Sequence, residues 1–280
     1  MTNFGNVSRE WCANRFRRMC SRVPPRQSAG GALVLALFAA TASSSAQSAA
    51  TQPAPDSMRV PILVYHSVAP HHPEQTAEQR QLDVDTAVFR EQMSYLAEHR
   101  YHVISLARLV EVLDGNAPAP ERAVVITFDD GWENQYHYAF PILRQLGLTA
   151  AFFVYTRPIG RDALWMSWEQ LRELQDAGMT VGSHSRTHPM LTGADVALED
   201  EVEHSRDDIR RNLGTVPDFF AYPYGAWDAR AVAAVRAAGY RAARAFPGGA
   251  WNAAMERYTL RSVLVTDDMD AFERAVGKPN

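Results

Sequence analysis

From Val60 to the end of the chain, apolar runs of strand length alternate with segments whose apolar side chains recur every three or four positions. VPILVYH (60–66) and AVVITF (123–128) carry no polar alternation, the pattern of strands buried on both faces. TAAFFVY (149–155), MTVGSH (179–184), DFFAYP (218–223), YRAARAF (240–246) and YTLRSVLV (258–265) repeat the theme, with HVISL (102–106) as a shorter candidate. Between them lie helical patterns at 87–99, with Phe89, Met93 and Leu96 on one face, and at 107–113, 136–146, 167–177, 195–213 and 226–238. Buried strands separated by helices predict a parallel sheet covered on both sides. Seven or eight such units favour a closed or nearly closed barrel over an open doubly wound sheet, and no GxGxxG or GxxxxGK follows a strand to support nucleotide binding. One α/β domain is expected over 59–280, with its chemistry at the carboxyl ends of the strands.

The first 58 residues follow another pattern. Arg9, Arg15, Arg17, Arg18, Arg22 and Arg26 precede the apolar run GALVLALFAATA (31–42), and small side chains follow at Ser44 and Ala46. Basic, apolar, then small is the order of a secretory signal peptide, so 1–46 is expected to be removed after Ala46. An apolar run of about a dozen residues is short of the ~20 that span a bilayer, so a cleaved signal is expected over an uncleaved anchor, with no stable membrane span after cleavage. Residues 47–58 are small, polar and proline-containing, and read as a linker. Removing 1–46 takes away six arginines and one acid, which moves the net charge from -4 to -9. An acidic exported protein, of periplasm, cell envelope or medium, is expected, and a nucleic-acid partner is not. Both cysteines, Cys12 and Cys20, lie in the removed segment. Any metal in the mature chain must therefore be held by histidines and carboxylates.

Three strand ends carry unusual chemistry. AVVITF runs straight into Asp129, Asp130 and Gly131, two carboxylates where a buried strand leaves the core. One use of such a pair is a helix cap in a βα turn; another is a metal ligand beside a general base. MTVGSH ends on His184, with His188 four positions on, a spacing that brings two imidazoles to one side of a helix or tight loop. Two nitrogens, one carboxylate and an open position make the catalytic zinc arrangement, whereas nine histidines in one chain also allow coincidence. At the end of DFFAYP, Pro223, Tyr224 and Gly225 form a turn; beyond ordinary chain reversal, its fixed backbone can aim the Tyr224 amide at a developing oxyanion. His66, ending the first strand, suits a proton donor near neutral pH as well as a rim histidine.

TFDDG (127–131), SHSRTH (183–188) and FAYPYG (220–225), in that order, resemble the NodB-type polysaccharide deacetylases of carbohydrate esterase family four. The resemblance implies a distorted (β/α)7 barrel and an acetylated polysaccharide or oligosaccharide substrate. It implies one divalent metal ion, usually Zn2+ with Co2+, Ni2+ or Fe2+ as alternatives, on Asp130, His184 and His188. Asp129 would be the general base and the Tyr224 amide the oxyanion donor, with Pro223 and Gly225 shaping the substrate side. The opening VPILVYHSV is similar to the subgroup acting on exported poly-β-1,6-N-acetylglucosamine, in which a first-strand histidine, here His66, is the general acid. Peptidoglycan or chitooligosaccharide deacetylation, xylan O-acetyl esterase activity and a non-catalytic glycan-binding scaffold are the alternatives. Two departures stand out: Ala221 occupies the place of an arginine that orients the aspartate, for which Arg261 or another strand-end arginine could substitute, and no histidine follows His204. Trp251 would match the family's aromatic pocket wall.

Overall fold

The computed structural model describes residues 58–72, 75–76, 82–246 and 248–277. The expected signal peptide lies outside these, as does the expected linker apart from Met58, which already pairs in a short strand. The apolar runs become the strands of one parallel sheet: β1 (Ile62–Tyr65), β2 (His102–Val103), β3 (Ala123–Phe128), β4 (Ala151–Val154), β5 (Thr180–Ser183), β6 (Phe219–Ala221), β7 (Ala242–Arg244) and β8 (Val263–Leu264). Their order is β7-β6-β5-β4-β3-β1-β8, and β2 pairs with the start of β3. Seven strands thus follow one another around a curled sheet, the expected (β/α)7 architecture.

The two edges of the path meet. Val263 and Leu264 pair with Leu63 and Val64 of β1, while Leu260, three residues earlier, bridges to Arg244 of β7. Leu260 N donates to Ala243 O at 2.9 Å and Ala245 N to Leu260 O at 2.8 Å. Traced through β8, Leu260 is level with residue 60; traced the other way through β7, β6, β5, β4 and β3, it is level with residue 68. A stagger of about eight residues is what tilted strands need to close into a barrel.

Helices follow most strands and cover the outside: α1 (Thr86–Glu98), α2 (Leu106–Leu113), α3 (Phe140–Leu146), α4 (Trp168–Asp176), α5 (Leu198–Leu213), α6 (Ala229–Ala237) and α7 (Met269–Val276). Asp85, Ser105, Ser167, Asp228 and Asp268 cap five of them through side-chain oxygens, a contribution of about 1 kcal/mol each. The expected helix at 136–146 has two parts, a π-helical turn at Gln135–Ala139 and then α3. Pro141 lacks the N–H that a continuous α-helix would use, and the first turn of a helix is where that loss is tolerated.

Strand alternation divides the core in two. Leu63, Tyr65, Val124, Ile126, Phe128, Phe152 and Val154 face outward onto Phe89, Met93 and Leu96 of α1 and its neighbours. Ile62, Val125, Ala151, Phe153, Phe219, Ala221 and Ala242 form the inner set, joined by Leu106 and Leu109 of α2. Most inner positions of β4 to β7 are small, and Phe153 takes the volume they leave: a Cβ on Gly182 would lie 2.6 Å from its ring. Because partnered residues of parallel strands share a face, His66, Asp129, His184 and Arg244 continue the inner set at the strand ends.

Candidate active site

The alternation that fills the barrel also aims its chemistry. Asp129 follows β3 on the inner face, and Asp130, which alternation would turn outward, is brought back by a left-handed backbone (φ 74°). Gly131 continues the turn at φ 77°, and a Cβ there would lie 2.8 Å from Val154 Cγ1, so only glycine fits. The Trp132 indole N–H donates to Asp130 Oδ2 at 3.1 Å and fixes the carboxylate. Trp132 and Trp165 are buried and stacked on each other with centroids 4.9 Å apart, so they serve the site from beneath and not as sugar platforms.

His184 extends β5, its N–H bonded to Val154 O at 2.8 Å. Its Nδ1 lies 2.7 Å from Ala221 O, which can only accept, so the proton sits on Nδ1 and Nε2 is left with its lone pair. Burial pushes the His184 pKa down to about 4, which keeps the ring neutral. The segment to His188 is a tight loop and not a helix. Glu201 of α5 holds it, accepting from Arg186 N at 3.0 Å, Thr187 N at 2.8 Å and Thr187 Oγ1 at 2.5 Å. His188, also left-handed at φ 63°, brings Nε2 to 3.1 Å from His184 Nε2 and 3.2 Å from Asp130 Oδ1. Among the described residues, Asp130, His184 and His188 are the one group of three acidic, histidine or cysteine side chains whose ligand atoms lie within 4.8 Å of one another. Two imidazoles and a carboxylate, all buried, with His184 and Asp130 oriented by outer partners, form a donor set that fits a divalent cation.

Asp129 is held apart from that set. Both of its oxygens lie 2.5 Å from Arg244 Nη2, and its Oδ2 is 3.9 Å from His66 Nε2 and from His184 Nε2. Burial would raise its pKa, but the Arg244 guanidinium, with the two histidines, outweighs this and holds the carboxyl below its ordinary range. Arg244 is 2% exposed, donates to Ser262 Oγ at 3.3 Å and lies 5.4 Å over the Phe153 ring. It is the strand partner of Ala221, so it answers the open question of which arginine meets the aspartate. Arg261 does not: it pairs with Glu256 at 2.9 Å.

His66 is mostly buried, with Nδ1 shielded and, among the described residues, without a hydrogen-bond partner, while its carbonyl is clamped from behind. The fully buried Gln135 amide, in the π-helical turn, donates to His66 O at 2.6 Å and to Asp129 O at 2.5 Å. One side chain thereby ties the ends of β1 and β3 together. At the end of β6, Tyr224 is left-handed (φ 60°) and its ring stands edge-on to His188 at 4.7 Å. Gly225 packs against the chain, since a Cβ there would be 2.2 Å from Phe246 O. Trp251 is not brought to the site. It pairs with Arg59, seven residues and roughly 20 Å of extended chain before His66, at the other end of the barrel. The glycine-rich segment before it made a strand-end position look available, but that segment folds back along Arg261.

Residues 116–243 match the family model for polysaccharide deacetylase. The chain carries a polysaccharide deacetylase domain. It is similar to the poly-beta-1,6-N-acetyl-D-glucosamine N-deacetylase of Escherichia coli (strain K12), 28% identical over 238 residues, a match covering 68% of this chain and 34% of that protein. The Staphylococcus aureus (strain MRSA252) protein of the same description is 22% identical, covering 71% of this chain and 72% of its own. In fold the deacetylase domain resembles the Streptococcus pyogenes deacetylase PplD (TM-score 0.73, 23% identity, 81% of this chain and 100% of that one). IcaB from Ammonifex degensii is also similar (TM-score 0.69, 24% identity, 78% and 95%).

Two expectations follow from the contacts around Asp129. Arg244→Met leaves a buried carboxylate alone and should cost about 3–5 kcal/mol in urea denaturation, with much of the loss recovered in the Arg244→Met/Asp129→Asn double variant. Equal stability of the single and double variants would show that the pair is not what the interior depends on. Gln135→Leu should lower kcat by roughly 10-fold or more with KM little changed, because it loosens the strand ends that carry His66 and Asp129.

Proposed function

We propose that this deacetylase removes acetyl groups from N-acetylglucosamine units of an exported or cell-envelope polysaccharide, using one divalent cation, Zn2+ first, on Asp130, His184 and His188. The observation that carries the reading is the buried convergence of those three side chains beside a second aspartate already committed to an arginine. The relatives described as poly-beta-1,6-N-acetyl-D-glucosamine N-deacetylases support the substrate class. The basic, apolar and small order of residues 1–46 supports export, and among the described residues no helix is long and apolar enough to cross a membrane.

When bound, the cation supplies Lewis acidity, polarising the acetyl carbonyl and making water acidic enough to lose a proton near neutral pH. The chain's own groups divide the remaining work. Asp129, kept ionised by Arg244, takes the proton from the attacking water. The Tyr224 N–H, in a turn that Pro223 and the close packing of Gly225 hold rigid, stabilises the oxyanion as it develops, a contribution of about 3 kcal/mol for one such donor. His66, within ion-pair reach of Asp129 at 3.9 Å, then gives a proton to the departing glucosamine nitrogen. The bond from acetyl carbon to nitrogen breaks, and acetate and a free amine leave.

Asp129→Asn should lose about 100-fold or more of its turnover while binding the cation as the parent does, whereas His184→Ala should lose both; metal analysis by mass spectrometry alongside acetate release separates them. Wild-type metal occupancy in His184→Ala would overturn the ligand assignment. His66→Ala should harm N-acetyl substrates much more than activated O-acetyl esters, whose leaving groups need less protonation. Equal losses on both would remove His66 from the acid role.

A further inference from the structure

Beside the deacetylase centre, on the outer rim between the loops that follow β4 and β5, lies a second cavity of about 260 Å³. Its wall includes Arg157, Arg161, Arg186, Trp168, Thr156 and Asp208. The two loops are laced together, Thr156 N donating to Ser185 O at 3.2 Å and Arg157 N to Arg186 O at 2.9 Å. The cavity is tied to the centre through the same loops: Arg186 stands between His184 and His188, and Thr156 follows Tyr155, whose ring is 5.2 Å from that of His188.

The charges in this wall do not balance. Asp208 is its one carboxylate, and its oxygens are already engaged by Thr156 Oγ1 at 2.7 Å, by Arg186 Nε at 3.5 Å and by Arg211. The guanidiniums of Arg157 and Arg161 make no ion pair among the described residues. Three arginines against one shared carboxylate leave the cavity positive in a chain whose overall charge is negative. Guanidinium groups favour planar or tetrahedral oxyanions, which they bind through paired N–H donors. The rest of the lining is mainly polar, with Asn212 beside Thr156 and the arginines. The volume lies just below the ~300 Å³ at which small-molecule sites begin.

We propose that this cavity is an accessory subsite for an anionic sugar, so that the deacetylase prefers a polysaccharide carrying carboxylate groups near the acetylated residue. The proposal rests on the deacetylase reading for its substrate but makes its own binding claim. The anion sits on Arg157, Arg161 and Arg186, and the acetylated neighbour is thereby presented to the metal-ligand loop.

Calorimetric titration of the metal-loaded protein at low ionic strength tests it with three probes: a trigalacturonate free of acetyl groups, a neutral trisaccharide of equal length, and inorganic phosphate. The acidic trisaccharide should bind, the neutral one should not, and Arg157→Ala/Arg161→Ala should weaken binding by 10-fold or more while leaving acetate release from a neutral acetylated oligosaccharide unchanged. Equal binding of the acidic and neutral sugars, or wild-type affinity in the double variant, overturns the subsite. Phosphate binding as tightly as the acidic sugar reduces it to a bare anion site and overturns the sugar claim. If no acetylated glycan releases acetate but trigalacturonate still binds through the arginines, the deacetylase reading fails and the subsite stands.

Discussion

Two opposite charges buried inside one barrel are the constraint around which this molecule is arranged. Neither Asp129 nor Arg244 could stay ionised there alone, since each would cost several kcal/mol of desolvation. Together they satisfy each other through two contacts of 2.5 Å, and Ser262 takes a further guanidinium proton. The pair also explains how adjacent aspartates acquire different partners. Asp129 has its oxygens committed to Arg244 and is kept ionised in the interior, while Asp130 is turned by one left-handed residue toward the imidazoles. The arginine thereby keeps Asp129 out of the group formed by Asp130, His184 and His188.

The backbone around the pair is under strain that the rest of the fold opposes. Of the six described residues other than glycine with positive φ, Asp130, Ser185, His188 and Tyr224 lie on the three loops of the site. Each such conformation costs on the order of 1–3 kcal/mol and persists only where surroundings over-determine it. Here the opposing contacts are specific. Trp132 holds Asp130, Glu201 and the Ser185 hydroxyl hold the loop to His188, and the contact of Gly225 with Phe246 holds the Tyr224 turn. Most of these partners are themselves buried, which is how short loops acquire the rigidity of the scaffold.

Much of this was legible in the sequence because strand ends announce themselves: an apolar run that stops on Asp129, His184 or His66 puts chemistry at the rim by period-two alternation alone. What could not be read were contacts between side chains distant in sequence. Gln135 looks like any polar residue at a helix start, and Glu201 like any acid on a charged helix, until the loops they hold are placed. Arg244 left a fainter signal, an arginine flanked by Ala242, Ala243 and Ala245 in an apolar strand, which demands a buried carboxylate somewhere. Trp251 misled because a tryptophan near glycines resembles a rim aromatic, whereas its strand pairs with residues upstream of β1.

The position of Arg244 turns the apparent defect at Ala221 into a consequence of barrel packing. Residues 221 and 244 are partners on neighbouring parallel strands and face the same interior space. A long side chain at 221 would compete with the guanidinium that reaches across from β7, over the ring of Phe153, to Asp129. Alanine at 221 clears that path, and the 221 carbonyl still fixes the His184 tautomer. The arrangement therefore requires a small residue at 221, a cation at 244 and an aromatic floor at 153 together. Exchanging any one of them alone breaks either the packing or the charge balance.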